Sequence, residues 1–327
     1  MKETHHIFKC KTLEELQDSL GKVGGEIVFK KYFLSSAEQA KSLPAEEGAV
    51  SAVIQPPLDG STVAAWVWAV DDFDTIARKP GTTVVREKGG REHIWSAGLT
   101  SLAAGSEAQT AEILETYERE LVSIGLNLPD NCIRTWFYVH DIDNNYAGMV
   151  KGRKLNFENI GLTPATHYIS STGICGSPAN GALVQMDAYA VKGDFSQHYL
   201  YAPTHLNPTY EYGVTFERGT RLDCGENRRV FISGTASINN RGEVVHVGDV
   251  VAQTERMIEN VDVLLREGGA SFADVKEISV YLRNAEDYPK VAGIFEELCP
   301  DIPYVIVLAP VCRPDWLIEM ECIAAIR

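Results

Sequence analysis

An internal echo limits the fold of this chain more than any other feature. The stretch Arg91-Glu-His-Ile-Trp-Ser-Ala-Gly-Leu-Thr-Ser-Leu102 returns as Arg228-Arg-Val-Phe-Ile-Ser-Gly-Thr-Ala-Ser-Ile238, and Leu183-Val-Gln-Met-Asp-Ala-Tyr-Ala190 returns as Leu317-Ile-Glu-Met-Glu-Cys-Ile-Ala324. Gly98 lies 87 positions before Gln185 and Gly234 lies 85 before Glu319, so both ends of each copy stay in step. Repeated units of this size are supersecondary modules that bury an apolar face against a neighbour. The copies differ at one chemically loaded position, where Gln185 stands in one and Glu319 in the other. That contrast suggests scaffolding for the first copy and chemistry for the second.

Periodicity divides the chain into four parts. Residues 1–90 form a leading segment whose clearest element is the β-branched and aromatic run Thr62-Val-Ala-Ala-Trp-Val-Trp-Ala-Val70, after the turn Gln55-Pro-Pro-Leu-Asp-Gly60. It does not resemble the repeats closely enough to count as a third copy. The first repeat, 91–192, predicts strand 94–99, helix 107–125, strand 133–139, helix 149–160 and strands 167–174 and 182–191. The second, 226–327, predicts strands 230–237 and 243–245, helix 250–268, strand 275–282, helix 286–298 and strands 304–308 and 317–324. The main helices rest on apolar spacings of three and four, as at Leu114, Tyr117 and Leu121 or at Met257, Val261 and Leu264. Between the repeats, 193–225 is rich in aromatic and turn residues and too long for a passive linker. The expected class is α+β, with mixed sheets covered by helices on one face. The other face must be buried by a neighbour, which makes such a sheet a natural oligomer-former.

The formal charge of −15 argues against nucleic acid and anionic membrane as partners, since both would be repelled at long range. A small anionic substrate stays possible where arginines cluster. The seven cysteines form no Cys-x-x-Cys pair and no Cys/His ligand cluster, which predicts a reduced, cytoplasmic protein without a zinc site. No signal sequence and no run of about 18 apolar residues is present.

Several motifs of the second repeat are similar to the Rid superfamily of small trimeric proteins: Val230-Phe-Ile-Ser-Gly-Thr-Ala236, Gln253-Thr254, Val280-Tyr-Leu282 and Ile318-Glu-Met-Glu-Cys-Ile-Ala324. The resemblance implies tandem Rid-like (chorismate mutase-like) modules, a trimeric or pseudo-trimeric assembly, and sites between modules. Imine-hydrolysing members hold a substrate carboxylate with an arginine, whose place falls near Val305 here and at Thr166 or His167 in the first copy. Over most of its length the chain resembles the chorismatases, through Gln55-Pro-Pro-Leu58, Arg134-Thr-Trp-Phe-Tyr138, Ser171-Thr-Gly-Ile-Cys-Gly176, Phe216-Glu-Arg218, Ser233-Gly-Thr-Ala-Ser237 and Cys312-Arg-Pro-Asp-Trp-Leu-Ile-Glu319. Where that family carries a Tyr-x-x-Phe-Asn-x-Gly-Arg stretch, this sequence has Tyr146 and Arg153-Lys-Leu-Asn-Phe157. The family resemblance implies cleavage of the enolpyruvyl ether of chorismate to pyruvate and a 3- or 4-hydroxybenzoate or a dihydrodiol, with no cofactor and no metal. A Rid-type imine or enamine hydrolase and a non-enzymatic small-molecule-binding protein are the alternatives.

Breaking an enol ether calls for a proton delivered to carbon, which suits a carboxylic acid of raised pKa. Glu319 is the catalytic candidate implied by the resemblance. Glu321, two residues along the same strand face, would hinder its ionisation. By alternation alone the pair would read as a solvated strand face. Cys312 is the second catalytic candidate, placed where some family members carry a cysteine that steers the reaction toward hydroxybenzoate. It could equally be a small buried hydrophobe, and Cys175 stands at the corresponding place in the first copy. For a dianion the cationic candidates are Arg134, Arg153, Lys154, Arg218, Arg221 and Arg313, with Arg134 and Arg218 favoured by their motifs, since guanidinium forks match carboxylates, although most arginines are solvated. Tyr138 and Tyr212 could bond a ring hydroxyl or simply pack. Gly234 and Ala236 would bring backbone close to a ring, or mark a bulge.

Overall fold

The computed structural model describes residues 1–326. The chain begins with β1 (Lys2–Cys10), α1 (Leu13–Leu20), β2 (Glu26–Leu34), α2 (Ala37–Lys41), β3 (Ala49–Ile54) and β4 (Val63–Asp71). There follow β5 (Thr75–Lys79), β6 (Thr82–Arg86), β7 (Glu92–Thr100), α3 (Ser106–Ser123), α4 (Leu128–Asn131), β8 (Cys132–Val139), α5 (Ile142–Asn159), β9 (Ser170–Cys175), β10 (Ser177–Pro178) and β11 (Val184–Lys192). The last part holds β12 (Ser196–Leu200), β13 (Gly219–Cys224), β14 (Asn227–Ala236), α6 (Val250–Glu267), β15 (Val275–Leu282), α7 (Tyr288–Leu298), β16 (Tyr304–Leu308) and β17 (Ile318–Ile326). Local chemistry sets the helix starts: the Thr12 and Asp249 side chains accept the first free N–H groups of α1 and α6.

Three sheets result, ordered β1-β4-β2-β3, β5-β6-β7-β11-β8-β9 and β12-β13-β14-β17-β15-β16, with β10 added to the edge of the first through β3. Each contains the same four-strand unit, joined antiparallel, antiparallel, then parallel. The leading segment is therefore a third copy, contrary to the expectation from sequence. Its likeness is hidden because α2 has only five residues and because Ala64 and Trp66 occupy the places of Gln185 and Asp187 and of Glu319 and Glu321. The leading segment also ends earlier than residue 90, since β5 and β6 pair into the second sheet. Likewise 193–225 is no connection between sheets: β12 and β13 are strands of the third. The strand expected at 243–245 is reduced to a single bridge, Ile238 to Val244.

The three sheets close a cycle. β3 abuts β7, β9 abuts β14, and β15 and β16 abut β1. Phe29, Trp66 and Trp68 from the first sheet meet Trp95, Trp136 and Tyr189 from the second and Phe231 from the third. Burying one such indole withdraws roughly 200 Å² from water, on the order of 5 kcal/mol before conformational entropy opposes it. The neighbour that each sheet face needs is thus supplied within one chain. Among the described residues no helix is long and apolar enough to cross a membrane. The interior also holds Lys31, Arg134, Asp187, Glu277 and Glu321, all 2% exposed or less. Buried charges persist only where partners hold them.

Candidate active site

A cavity of about 220 Å³ opens where β9 of the second sheet faces β14 of the third. Glu319, on β17 opposite Ala236 and Tyr281, points its carboxyl into this space while remaining 5% exposed. The register slips between Ile232 and Thr235, a bulge that carries Gly234 under the carboxyl. A β-carbon at Gly234 would overlap Glu319 Oε1, so glycine is needed there for space. Burial, and then the negative charge of Glu321, push the Glu319 carboxyl up to about 8, against the opposing pull of Arg134 and Arg218. At neutral pH it is an acid able to donate.

Glu321 faces away from the cavity. Its Oε2 accepts from Arg134 and from the Thr172 hydroxyl, and its Oε1 accepts from Tyr281 at 2.6 Å. Arg134 also donates to Ser233 Oγ at 3.2 Å, so it ties β8 to β14 behind the cavity and does not line it. Tyr138 is likewise outside: its ring faces Lys31 and its hydroxyl lies near Asp187. Arg134 and Tyr138 therefore drop from the direct substrate contacts.

Three other guanidinium groups do line the cavity. Arg153 reaches in from α5, donating from Nε to Thr215 Oγ1 at 3.2 Å and from Nη1 to Ser171 Oγ at 3.3 Å, while its buried Nη2 has no partner among the described residues. Arg218 donates to the Asn207 carbonyl and side-chain oxygen at 3.0 and 3.2 Å. Arg313 donates to the Gly242 carbonyl at 3.2 Å. The Tyr212 ring lies 5.3 Å from the Arg218 guanidinium and 4.7 Å from that of Arg313. Cys312 completes the polar set beside Tyr146. Burial, and then the Glu319 charge, push its thiol up to about 12, while a hydrogen bond with Tyr146 works the other way. Cys312 is therefore an S–H group at neutral pH, not a standing thiolate.

Glu319, Cys312, Arg153, Arg218, Arg313, Tyr212, Gly234 and Ala236 are thus brought together, and Arg134, Tyr138 and Glu321 stand behind them. Tyr146, Ser171, Gly173, Val214, Phe216, Ile238 and Trp316 line the same space without having been proposed as site residues. Most lie inside the motifs Ser171–Gly176, Phe216–Arg218 and Cys312–Glu319, which were the available signal. Strand pairing also corrects two equivalences. Cys175 pairs with Val139 at the end of β9, the place of Leu308 in β16, so it does not correspond to Cys312. Thr172, not Thr166 or His167, corresponds to Val305.

The matching cleft between β3 and β7 is closed, because Gln185 donates to Ser51 Oγ at 2.9 Å and Asp187 Oδ1 accepts from the Gly98 N–H at 2.8 Å. A larger cavity of about 940 Å³ beside β1 and the end of β17 is lined by two carboxylates, Glu3, which is paired with Arg229 at 2.6 Å, and Asp301.

The family described as Endoribonuclease L-PSP matches residues 221–326, one of the three copies. A 3-hydroxybenzoate synthase of Streptomyces hygroscopicus is 28% identical over 286 residues, covering 79% of this chain and 80% of that protein. A chorismatase of Streptomyces rapamycinicus is 32% identical over 216 residues, or 59% of this chain and 63% of its own length. A crystal structure of a chorismatase superposes with a TM-score of 0.75 at 21% identity, covering 99% of this chain and 98% of the other. Over most of its length the chain is similar to these chorismatase-type proteins, and it has the fold of the chorismatase structure. The L-PSP match takes in Glu319, Cys312 and Arg313, but Tyr146, Arg153, Ser171 and Gly173 come from the preceding copy. A lone L-PSP module could not enclose this cavity.

Proposed function

We propose that the protein cleaves the enolpyruvyl ether of chorismate, releasing pyruvate and a hydroxybenzoate, with Glu319 as the general acid. The observation that carries this reading is a buried carboxylic acid, raised to about 8, facing a cavity that also holds three guanidinium groups. Chorismate bears two carboxylates. Arg153, with Nη2 unengaged, suits one of them, and the Arg218–Arg313 pair suits the other. The Glu319 O–H bond breaks as its proton passes to the terminal methylene carbon, leaving a cationic carbon beside the ether oxygen and a carboxylate to stabilise it. Chorismate has the same atoms as pyruvate plus a hydroxybenzoate, whereas the dihydrodiol needs one added water. Val214, Phe216, Ile238 and Trp316 supply the apolar part of the cavity wall, which favours the route that takes up no bulk water. The neutral Cys312 thiol lines the same cavity and can donate toward the ring hydroxyl, which leaves as water on aromatisation. That water adds to the cationic carbon, and the hemiketal so formed releases pyruvate. The protons set free by the added water and the ring C–H return to Cys312 and Glu319.

The three sheets complete a cycle in one chain, which supports a pseudo-trimer built from a single polypeptide, and the seven free cysteines support a reducing compartment. The test is purified protein with chorismate, following pyruvate by a coupled dehydrogenase assay and the aromatic product by chromatography. Expected are equal amounts of pyruvate and one hydroxybenzoate, with no turnover of a 2-aminoacrylate source. Turnover of the imine source and none of chorismate would overturn the proposal.

A further inference from the structure

The leading copy lends no wall to the cavity, yet it reaches the acid from behind. Lys31, on β2, is fully buried at 0% exposure. Its Nζ lies 4.4 Å from the ring centres of Phe33 and Tyr138 and 5.6 Å from that of Tyr281. Those three rings are the same position in three copies, since they pair with Ala64, Gln185 and Glu319 respectively. The ammonium therefore sits where the three copies converge, caged by one aromatic ring from each. Among the described residues its hydrogen-bond partner is no carboxylate but Tyr281 Oη, at 3.5 Å. A buried lysine surrounded by rings is expensive, and a purely structural core would fill this space with an apolar side chain.

The polar connections from Lys31 run one way. Its N–H donates to Tyr281 Oη, and the Tyr281 O–H donates to Glu321 Oε1 at 2.6 Å. Glu321 Oε2 takes the Arg134 and Thr172 donors. Thr172 Oγ1 in turn accepts the N–H of Gly234 at 2.9 Å, the residue against which the Glu319 carboxyl rests. Three donors converge on Glu321, so a proton placed there would meet donors and no acceptor. Glu319 faces the cavity and meets no such set among the described residues.

We infer that Lys31 and Tyr281 are positioning residues for the reaction, which act through Glu321 to keep the proton of the carboxyl pair on Glu319. The inference rests on the reading of Glu319 as the acid. The charged and titratable groups facing Glu321 are Lys31 from β2, Arg134 and Tyr138 from β8, Glu277 and Tyr281 from β15, and Glu319 from its own strand. Asp187 of β11 faces Lys31. Among the charged neighbours of Lys31, Glu321 is felt most strongly, whereas Glu319 responds to Glu321, Arg134 and Arg218. Without Lys31, Arg134 is the cation left beside Glu277 and Glu321, while Arg218 still faces Glu319. The donor set that favours charge on Glu321 is then weakened, and Glu319 ionises at lower pH.

Lys31→Met keeps the length of the side chain without its charge, and Tyr281→Phe keeps the ring without its donor. In each, the alkaline limb of kcat/KM for chorismate should move to lower pH by about one unit, with KM at pH 6 within about twofold of the parent. Infrared titration gives a second readout that needs no turnover. The carboxylic-acid band that Glu319→Gln removes should titrate about one unit lower in both variants. Should Tyr281→Phe fail to fold, Lys31→Met carries the test alone. A Glu319 band that titrates as in the parent, with only thermal stability changed, reduces Lys31 to a structural role and overturns the inference while leaving the chorismate reading intact. If Glu319→Gln removes no band, or leaves turnover untouched, the reading itself fails and takes this inference with it.

Discussion

Adding one methyl group at Gly234 is the sharpest probe of the acid. A β-carbon built there overlaps Glu319 Oε1 and lies 2.9 Å from Glu319 Cδ and 3.0 Å from Thr172 Cγ2. The Gly234 backbone is not in the left-handed region, so alanine fits the chain and the clash is purely with side chains. Thr172 is held by Glu321 and by the Gly234 N–H, which leaves the Glu319 carboxyl as the group that must give way. Reaching ordinary contact requires a shift of about 1 Å into the cavity. Overpacking of this kind costs about 1–3 kcal/mol of stability, and a 1 Å misplacement of a reacting group costs on the order of 100-fold in rate. Pyruvate release from Gly234→Ala should therefore fall about 100-fold in kcat/KM, while thermal denaturation shows a folded protein of modestly lower stability. The control is the matching glycine of the preceding copy. Gly98 has φ +69°, and a β-carbon there meets only the Val50 carbonyl at 3.5 Å. Gly98→Ala should cost about 1 kcal/mol through backbone strain and leave turnover alone. A Gly234→Ala protein with the parent kcat/KM would refute the placement of the Glu319 carboxyl and the mechanism built on it.

Other outcomes follow from the same geometry. Glu319→Gln should reduce pyruvate release by about 10²- to 10⁴-fold and stay folded, as Gln185 does in the matching place. In the parent, the rate should be flat up to about pH 8 and fall as pH rises through that value, because the donating form of Glu319 is lost there. The same raised value means that folding favours protonated Glu319, so stability is lost as pH rises through about 8. Glu319→Gln should lose less stability than the parent between about pH 4.5 and about 8 when thermal midpoints are compared. Arg153→Met should raise KM for chorismate by about 10- to 100-fold, the worth of one charge-assisted hydrogen bond, and an unchanged KM would remove Arg153 from carboxylate binding. Cys312→Ala should change the ratio of aromatic products, read by chromatography, more than total pyruvate; an unchanged ratio would leave Cys312 as packing.

Much of the fold was legible along the chain because strand and helix periods are local. The spacing of Met257, Val261 and Leu264 marked α6 to within a residue, and the apolar run before Arg283 marked β15 at its observed bounds. The carboxyl that faces the cavity was legible as a candidate too, since the contrast between Gln185 and Glu319 is a property of aligned copies. What stayed hidden depends on contacts across sheets. Alternation placed Glu319 and Glu321 on one strand face, but only the positions of Arg134, Thr172 and Tyr281 decide that one faces a cavity and the other a cluster of donors. Arg134 and Tyr138 were mistaken for substrate contacts because a motif shows which side chains matter and not which way they point. The leading copy escaped notice because it keeps the topology while replacing nearly every side chain that marks the other two.

The sequence by itself determined two of the three modules, their order, the candidate carboxyl at Glu319 and the likeness to the chorismatases, because each of these is written in local pattern or in residue identity. Only the tertiary structure decided that three copies close into one cycle and that the junction of β9 with β14 encloses the cavity that Glu319 faces. It alone brought a lysine from the first copy to a tyrosine of the third. Those outcomes turn on distances between residues far apart along the chain, and no local pattern encodes the desolvation and charge that such neighbours impose.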